Sequence, residues 1–244
     1  GGVLYREMCD LYAAFAQGAD TPLPDPELQY ADFAAWQRAT LQAPLLDRQL
    51  AYWTQHLQGA TPLRLPVDRA ASPQSGFAAL TEERLLPRPL AAALRELSRQ
   101  QGATLFVTLL AGFEVLLQRY SGQDDILIGT PVLTRNRPEL ESMVGLLVNM
   151  AALRVDLADN PSFVDCMRRV RQTVLGANDH ADVPFEKVVQ ALQPERSGRR
   201  NPLFQVAFAQ DMGYHPGLAQ QRELAGVSIR PLHRNDILTH LDVE

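Results

Sequence analysis

Apolar and polar positions along the chain alternate between helical and extended periods. Val3, Leu4, Met8, Leu11, Tyr12 and Phe15 fall near one side of a helical period. That spacing predicts a helix over residues 3–17 with Val3, Leu4 and Met8 facing a core, closed by Gly18 in the left-handed C-cap position. Three prolines in "TPLPDPE" exclude a helix interior there. Tyr30, Phe33 and Trp36, then Leu46, Leu50, Trp53 and Leu57, predict two helices that Pro44 separates. The run "GATPLRLPVDRAASPQSG" is rich in Pro, Gly and Ser and reads as a boundary or crossover.

Beyond that run, residues 77–86 are expected to be a strand, and Pro89 suits the first turn of a helix carrying Leu90, Leu94 and Leu97. Residues 105–120 give the strongest helical pattern. Thr104 is placed to cap it, and Phe106, Leu109, Leu110, Phe113, Leu116, Leu117 and Tyr120 form a wide apolar stripe. "ILIGTPV" reads as a buried strand. In "LLVNMAALRVDL", Ala151, Leu153, Val155 and Leu157 alternate with Ala152, Arg154 and Asp156. Asn160 and Pro161 are expected to start a helix with Phe163, Met167, Val170 and Val174 on its inner side. Asp182 and Pro184 open a shorter one, with Phe185, Val188, Val189 and Leu192. Alternation of Phe204, Val206 and Phe208 predicts a strand, as do Ile229 and its neighbours, and "LTHLDVE" reads as a further, unfinished one. Strands separated by helices indicate a layered α/β fold.

Composition narrows the function classes. The 244 residues are 46% hydrophobic, and 23 basic against 28 acidic side chains leave a net charge of −5, which gives no support for a nucleic-acid or anionic-membrane partner. The basic stretch "PERSGRR" reads as a solvated loop. Cys9 and Cys166 lie far apart with no CxxC partner, which suits a reducing compartment and gives no structural zinc site. With no signal-peptide pattern and no run approaching roughly 18 apolar residues, the expected location is cytoplasmic.

Candidate chemistry is sparse. His56, His180, His215, His233 and His240 form no HExxH pair or metal spacing, and GxSxG, GxxxxGK[ST] and GxGxxG are all absent. His240 and Asp242 would share a strand face, which reads as a surface pair or an oriented imidazole. His180 precedes a Pro-initiated helix, as a capping histidine or as a group reaching a cleft. Arg135, Arg137, Glu139 and Glu141 read as a solvated excursion with local ion pairs, or as a loop at a substrate mouth. Asn149 interrupts the apolar run "VGLLVNM", and a buried amide left unpartnered costs roughly 1–3 kcal/mol. It either closes a strand edge against a loop or offers its amide to a polar tether.

Four ordered segments carry a resemblance. "YADFAAWQR" (residues 30–38), "IGTPVLTRNRPELESMVGLLVNM" (128–150), "HADVPFEKVV" (180–189) and "RRNPLFQVAF" (199–208) resemble, in order and spacing, motifs of the condensation domain of non-ribosomal peptide synthetases. Leu133, Thr134, Leu147 and Met150 depart mildly from the family pattern.

The resemblance implies an α/β fold of chloramphenicol-acetyltransferase-like lobes, with mixed sheets packed by helices. The chain would cover the end of the first lobe (1–66), a crossover linker (67–76) and most of the second lobe (77–244). It implies amide-bond formation between a donor acyl or peptidyl thioester and an acceptor aminoacyl thioester. The expected partners are upstream and downstream peptidyl carrier domains, an adjacent adenylation domain, and the remaining N-terminal half of the condensation domain. No cofactor would bind directly, because the substrates ride on the phosphopantetheine of the carriers. The family's HHxxxDG motif does not occur here, and "GGVLYRE" resembles the passage just after it, so a cut behind that loop is expected, with Glu7 on the following helix. No catalytic residue is therefore assigned, and the chain alone is expected to be inactive. Thr130, Pro131, Asn149, His180, Pro184 and Phe185 are the substrate-channel or floor-loop candidates. Glu7, Tyr30, Asp32, Trp36, Arg135, Arg137, Arg200 and Asn201 are the structural motif residues. A non-catalytic carrier-docking or gatekeeping piece, or part of an epimerization or heterocyclization domain, are the alternatives.

Overall fold

The computed structural model describes residues 2–67, 78–80, 82–135, 137–193, 201–210, 222–229 and 237–238. They divide into two compact units, one formed by Gly1–Gln42, Leu133–Val148 and Gln210–Arg234, the other by Ala43–Val132, Asn149–Ala209 and Asn235–Glu244.

In the first unit, α1 (Gly2–Ala16) ends as its sequence predicts, with Gly18 at φ 70°. Among the described residues its apolar stripe meets no core: Leu4 is 56% and Met8 57% exposed, and no residue of the helix is buried. α2 (Tyr30–Thr40) starts where the Asp32 carboxylate accepts from the Gln29 N–H at 2.9 Å, offsetting one of the orphan donors of a helix start. A small core of Phe33, Leu140, Met143 and Leu147 joins this helix to the excursion 133–148, which contains a short 3-10 turn at Pro138–Leu140. β4 (Arg222–Leu224) and β5 (Val227–Ile229) form an antiparallel hairpin.

The second unit holds the larger core. α3 (Leu45–Leu57) begins after Pro44, as expected. β1 (Ala78–Ala79) pairs antiparallel with β6 (Ile237–Leu238) and is much shorter than the strand expected over 77–86; residues 82–87 are irregular and Leu85 is 99% exposed. The charged sequence Glu82-Glu83-Arg84 gives that stretch no buried face. α4 (Arg88–Gln100) precedes α5 (Leu105–Ser121). Thr104 Oγ1 accepts from the Val107 N–H, so the start of α5 is capped by the residue the sequence nominates, and Gly122 closes its other end at φ 70°. The buried face of α5 differs from the predicted stripe: Val107, Leu110, Ala111, Glu114 and Leu117 are inside, while Leu116 and Tyr120 are exposed.

β2 (Asp125–Leu133) lies beside β3 (Val148–Asp156). The Leu157 N–H bonds to the Asp124 carbonyl and the Thr134 N–H to the Leu147 carbonyl, which sets the two strands antiparallel. On the β2 backbone, Gly129 makes a parallel bridge with Ala207, so the sheet is mixed. Ala151, Ala152, Leu153 and Val155 are all buried, so β3 is covered on both faces there rather than on one. Residues 203–207 are likewise buried without alternation, with isolated bridges at Val206 and Ala207 rather than the expected strand. α6 (Phe163–Asp179) is capped by Ser162, whose Oγ accepts from the Asp165 N–H, and not by Asn160, which sits in the preceding turn at φ 51°. α7 (Phe185–Leu192) follows Pro184. α4 and α6 pack on α5, and α3 packs on α7. Among the described residues no single helix is long and apolar enough to cross a membrane.

Candidate functional site

In the second unit, the loop 180–184 between α6 and α7 is clamped from two directions. The first clamp is Asn149 on β3. Its amide nitrogen donates to the Ala181 carbonyl at 2.9 Å and the Val183 carbonyl at 2.6 Å. Its amide oxygen accepts from the Met150 N–H at 2.9 Å and from the Phe185 N–H, the first of α7, at 3.0 Å. Both donor hydrogens are used and the oxygen accepts twice, so the amide has little capacity left for a tether. Of the two readings open for Asn149, the geometry fits the closure of a strand against a loop. Pro184 at the helix start has no N–H to satisfy, and Asn149 meets the next orphan donor from outside the helix.

The second clamp is α3. The His180 imidazole lies on the Tyr52 ring with centroids 3.9 Å apart and planes 6° from parallel. Its Nδ1 is 2.8 Å from the Gly176 carbonyl, and its own carbonyl accepts from the buried Trp53 Nε1–H at 3.0 Å. Burial, with a smaller contribution from the Asp179 carboxylate, raises the Tyr52 phenol above its ordinary pKa. Phe185 packs against Phe204, centroids 5.5 Å apart. Phe204 in turn fills the space over Gly129, where a Cβ would come within 2.1 Å of its ring.

The other candidates of this unit are structural in their contacts. Thr130 is buried and donates to the Phe208 carbonyl at 2.8 Å, while Pro131 is exposed on β2. The Asn201 side chain accepts from the Leu203 and Phe204 N–H groups at 3.0 and 3.2 Å, shaping the entry to the buried segment 203–207. Arg200 lies outside the described residues, as do His215, His233, His240 and Asp242.

In the first unit, the Tyr30 hydroxyl donates to the Leu146 carbonyl at 3.2 Å, and its ring covers Gly145, where a Cβ would stand 2.3 Å away. Arg137 stacks over Trp36 with its guanidinium carbon 4.7 Å from the ring centroid. Arg135 donates to the Leu140 and Glu141 carbonyls. Among the described residues neither arginine makes the local ion pairs that one of its two sequence readings offered; backbone carbonyls and an indole face take their place. Glu7 is half-buried on α1.

Sequence reasoning missed three participants. Tyr52 lies beside the predicted core Trp53 and carries no motif of its own. Arg154, an outward strand residue by its alternation, holds Asp125 with both carboxylate oxygens, at 2.8 and 3.0 Å, and donates to the His56 and Gln58 carbonyls at the end of α3. His56 accepts the Arg154 N–H at Nε2 (3.3 Å), which requires the neutral ring. Burial, then the Arg154 charge, lowers its pKa, partly countered by Asp125. The one signal for these contacts was an arginine between Leu153 and Val155, two buried apolar residues of β3.

The arrangement positions a loop but holds no nucleophile–base pair, and among the described residues no group of three or more His, Cys, Asp or Glu side chains could hold a metal ion. Comparison with known proteins supplies the family. The condensation-domain family model matches residues 1–233. A linear gramicidin synthase polypeptide of Brevibacillus parabrevis is 48% identical over 208 residues, 85% of this chain and 3% of that synthase. The X-domain from teicoplanin biosynthesis matches with a TM-score of 0.75 at 31% identity, over 84% of this chain and 47% of that one, and matches equally in its complex with OxyB. The SgcC5 protein of Streptomyces globisporus matches with a TM-score of 0.69 at 26% identity, covering 97% of this chain and 54% of that one. The chain thus spans about half of these solved domains and a few per cent of the synthase. With a mixed α/β fold like theirs and a family match along nearly its whole length, the chain belongs to the condensation-domain family.

Proposed function

We propose that this chain is the downstream part of a peptide-synthetase condensation domain. In that reading, residues 1–66 end a first chloramphenicol-acetyltransferase-like lobe, 67–76 cross over, and 77–244 supply most of the second lobe. The domain joins a donor acyl or peptidyl thioester to the amine of an acceptor aminoacyl thioester. Both are presented on the phosphopantetheine arms of carrier domains, with an adenylation domain alongside. The amine attacks the donor carbonyl, a C–N bond forms, the C–S bond breaks, and the thiol leaves with a proton. A thioester is already activated, so positioning the two arms supplies much of the rate. The observation that carries this reading is the family match over residues 1–233.

This chain's own residues are assigned to positioning. Asn149 fixes the loop 181–185 against β3, and His180, Pro184 and Phe185 form one wall or floor of the substrate path, with Thr130 and Pro131 on the neighbouring strand. The imidazole that would handle the amine belongs to the HHxxxDG motif, which these 244 residues do not contain, so the chain alone does not catalyse the reaction. One observation favours a second reading: the X-domain, solved with OxyB, is among the similar structures, and a non-catalytic docking piece would share its fold.

The test is reconstitution. A whole condensation domain that includes this chain is mixed with loaded donor and acceptor carriers, and the acceptor arm is weighed by mass spectrometry. Amide product that slows on Asn149→Ala and His180→Ala supports the reading. No product with any loaded pair favours the docking reading, and unchanged rates in both variants remove the two residues from the substrate path.

A further inference from the structure

Two contacts hold the His180 ring, a hydrogen bond at Nδ1 and the face of Tyr52, and the first fixes which nitrogen carries its proton. Nδ1 lies 2.8 Å from the Gly176 carbonyl, which has only lone pairs to offer, so Nδ1 is the donor. Tyr52 holds the plane of the ring, which lies on its face at 3.9 Å and 6°, and turning the ring over in that plane would put Cδ2 in place of Nδ1 and lose the hydrogen bond to the carbonyl. Tyr52 is itself located by Gly176: a Cβ at that position would stand 2.3 Å from the Tyr52 hydroxyl and 3.1 Å from the ring carbon that bears it. Gly176 therefore both leaves room for the tyrosine and accepts from the histidine. In the neutral imidazole Nε2 then holds a lone pair and no hydrogen, and no described residue hydrogen-bonds to it. His180 is only part-buried, so this nitrogen is free for a ligand group. Such a nitrogen pairs with an N–H and repels a carbonyl or phosphate oxygen.

We propose that Tyr52 is a positioning residue that holds His180 with hydrogen on Nδ1, so that Nε2 accepts a hydrogen bond from an amide or amine N–H of the tethered substrate arm. The substrate half of this inference rests on the condensation reading; the positioning half does not. Trp53 secures the same loop through the His180 carbonyl, so α3 presents two adjacent aromatic residues to one motif histidine.

The test uses the whole condensation domain labelled with 15N-histidine, with His180 assigned by its loss in His180→Gln. Wild type and Tyr52→Phe, which keeps the ring, are expected to show hydrogen on Nδ1. Tyr52→Leu is expected to give a mixture of tautomers. Should Tyr52→Leu fail to fold, Gly176→Ala displaces the same ring, and Tyr52→Phe combined with Gly176→Ala restores much of the wild-type signal by removing the clashing hydroxyl. Hydrogen on Nε2 in wild type, or an unchanged Nδ1 tautomer in both Tyr52→Leu and Gly176→Ala, overturns the positioning role. An aminoacyl pantetheine thioester is expected to shift the His180 Nε2 resonance of wild type, and to shift it several-fold less in Tyr52→Leu. No shift in wild type up to the solubility limit of the probe overturns the acceptor role. Failure of the reconstituted amide synthesis, with the tautomer result intact, would count against the condensation reading alone.

Discussion

Asn149→Ala removes four hydrogen bonds at once and leaves the carbonyls of Ala181 and Val183 and the N–H groups of Met150 and Phe185 without their partner. A net contribution of about 0.5–1.5 kcal/mol per bond gives roughly 2–6 kcal/mol. Asn149 is part-buried, so water re-pairs some of the four and the expected loss is about 2–4 kcal/mol. For a domain of this size that lowers the melting temperature by roughly 4–16 °C. A sharper readout is amide hydrogen exchange at Phe185, whose N–H points at the Asn149 oxygen. A loss of about 2 kcal/mol speeds exchange through local opening by roughly 30-fold. Asn149→Gln, one methylene longer, cannot keep all four contacts and is expected to fall between wild type and alanine. An alanine variant that melts within about 1 °C of wild type, with Phe185 exchange unchanged, would refute the clamp.

Further predictions concern buried ionisable groups and one close approach. Glu114 on α5 is fully buried with neither carboxyl oxygen partnered among the described residues, and burial raises its pKa well above the ordinary value. An acid raised on folding loses its stability contribution as pH climbs from its unfolded pKa through the folded one. Glu114→Met is thus expected to stabilise the chain at pH 7 by about 1–4 kcal/mol and to flatten that alkaline decline in melting curves; a less stable variant would contradict this. His56 is a base whose pKa folding lowers, so its contribution is present above about pH 6.5 and is lost as pH falls through the folded value. His56→Gln, neutral and able to accept the Arg154 N–H, is expected to melt with a shallower acid limb than wild type, and identical limbs would count against the assignment. Gly129→Ala drives a Cβ to 2.1 Å from the buried Phe204 ring and is expected to cost about 1–3 kcal/mol in chemical denaturation. Phe204→Leu in the same chain should return part of that loss.

Much of this was legible in the sequence because its signals are local. Thr104 caps α5, Gly18 closes α1, and Pro44 and Pro184 mark helix starts, each through backbone rules that need no tertiary information. Asn149 stood out as an amide in an apolar run, and the structure gives it the partners that burial demands. What escaped depends on contacts remote in the chain. A helical period cannot tell that Glu114 faces inward while Leu116 and Tyr120 face out, because that depends on how α4 and α6 pack on α5. The Arg154 grip on Asp125 and the end of α3 joins three separate stretches, and the Tyr52–His180–Gly176 contact likewise joins α3 to the end of α6. The partners of Arg135 and Arg137 were equally out of reach: of the two readings open for them neither named the backbone carbonyls and the Trp36 ring that they meet. Leu4 and Met8, core residues by their period, lie on a helix face left exposed among the described residues.

The proposed role of this chain is in amide-bond formation between carrier-bound substrates. It is tested most directly by mass analysis of the acceptor carrier's arm after mixing loaded donor and acceptor carriers with either the whole condensation domain or this chain alone. The arm is expected to be heavier by the donor acyl group, linked through an amide, with the whole domain, and unchanged with the chain alone. Amide product from the chain alone, or an unchanged acceptor arm with the whole domain across its cognate carriers, would contradict it.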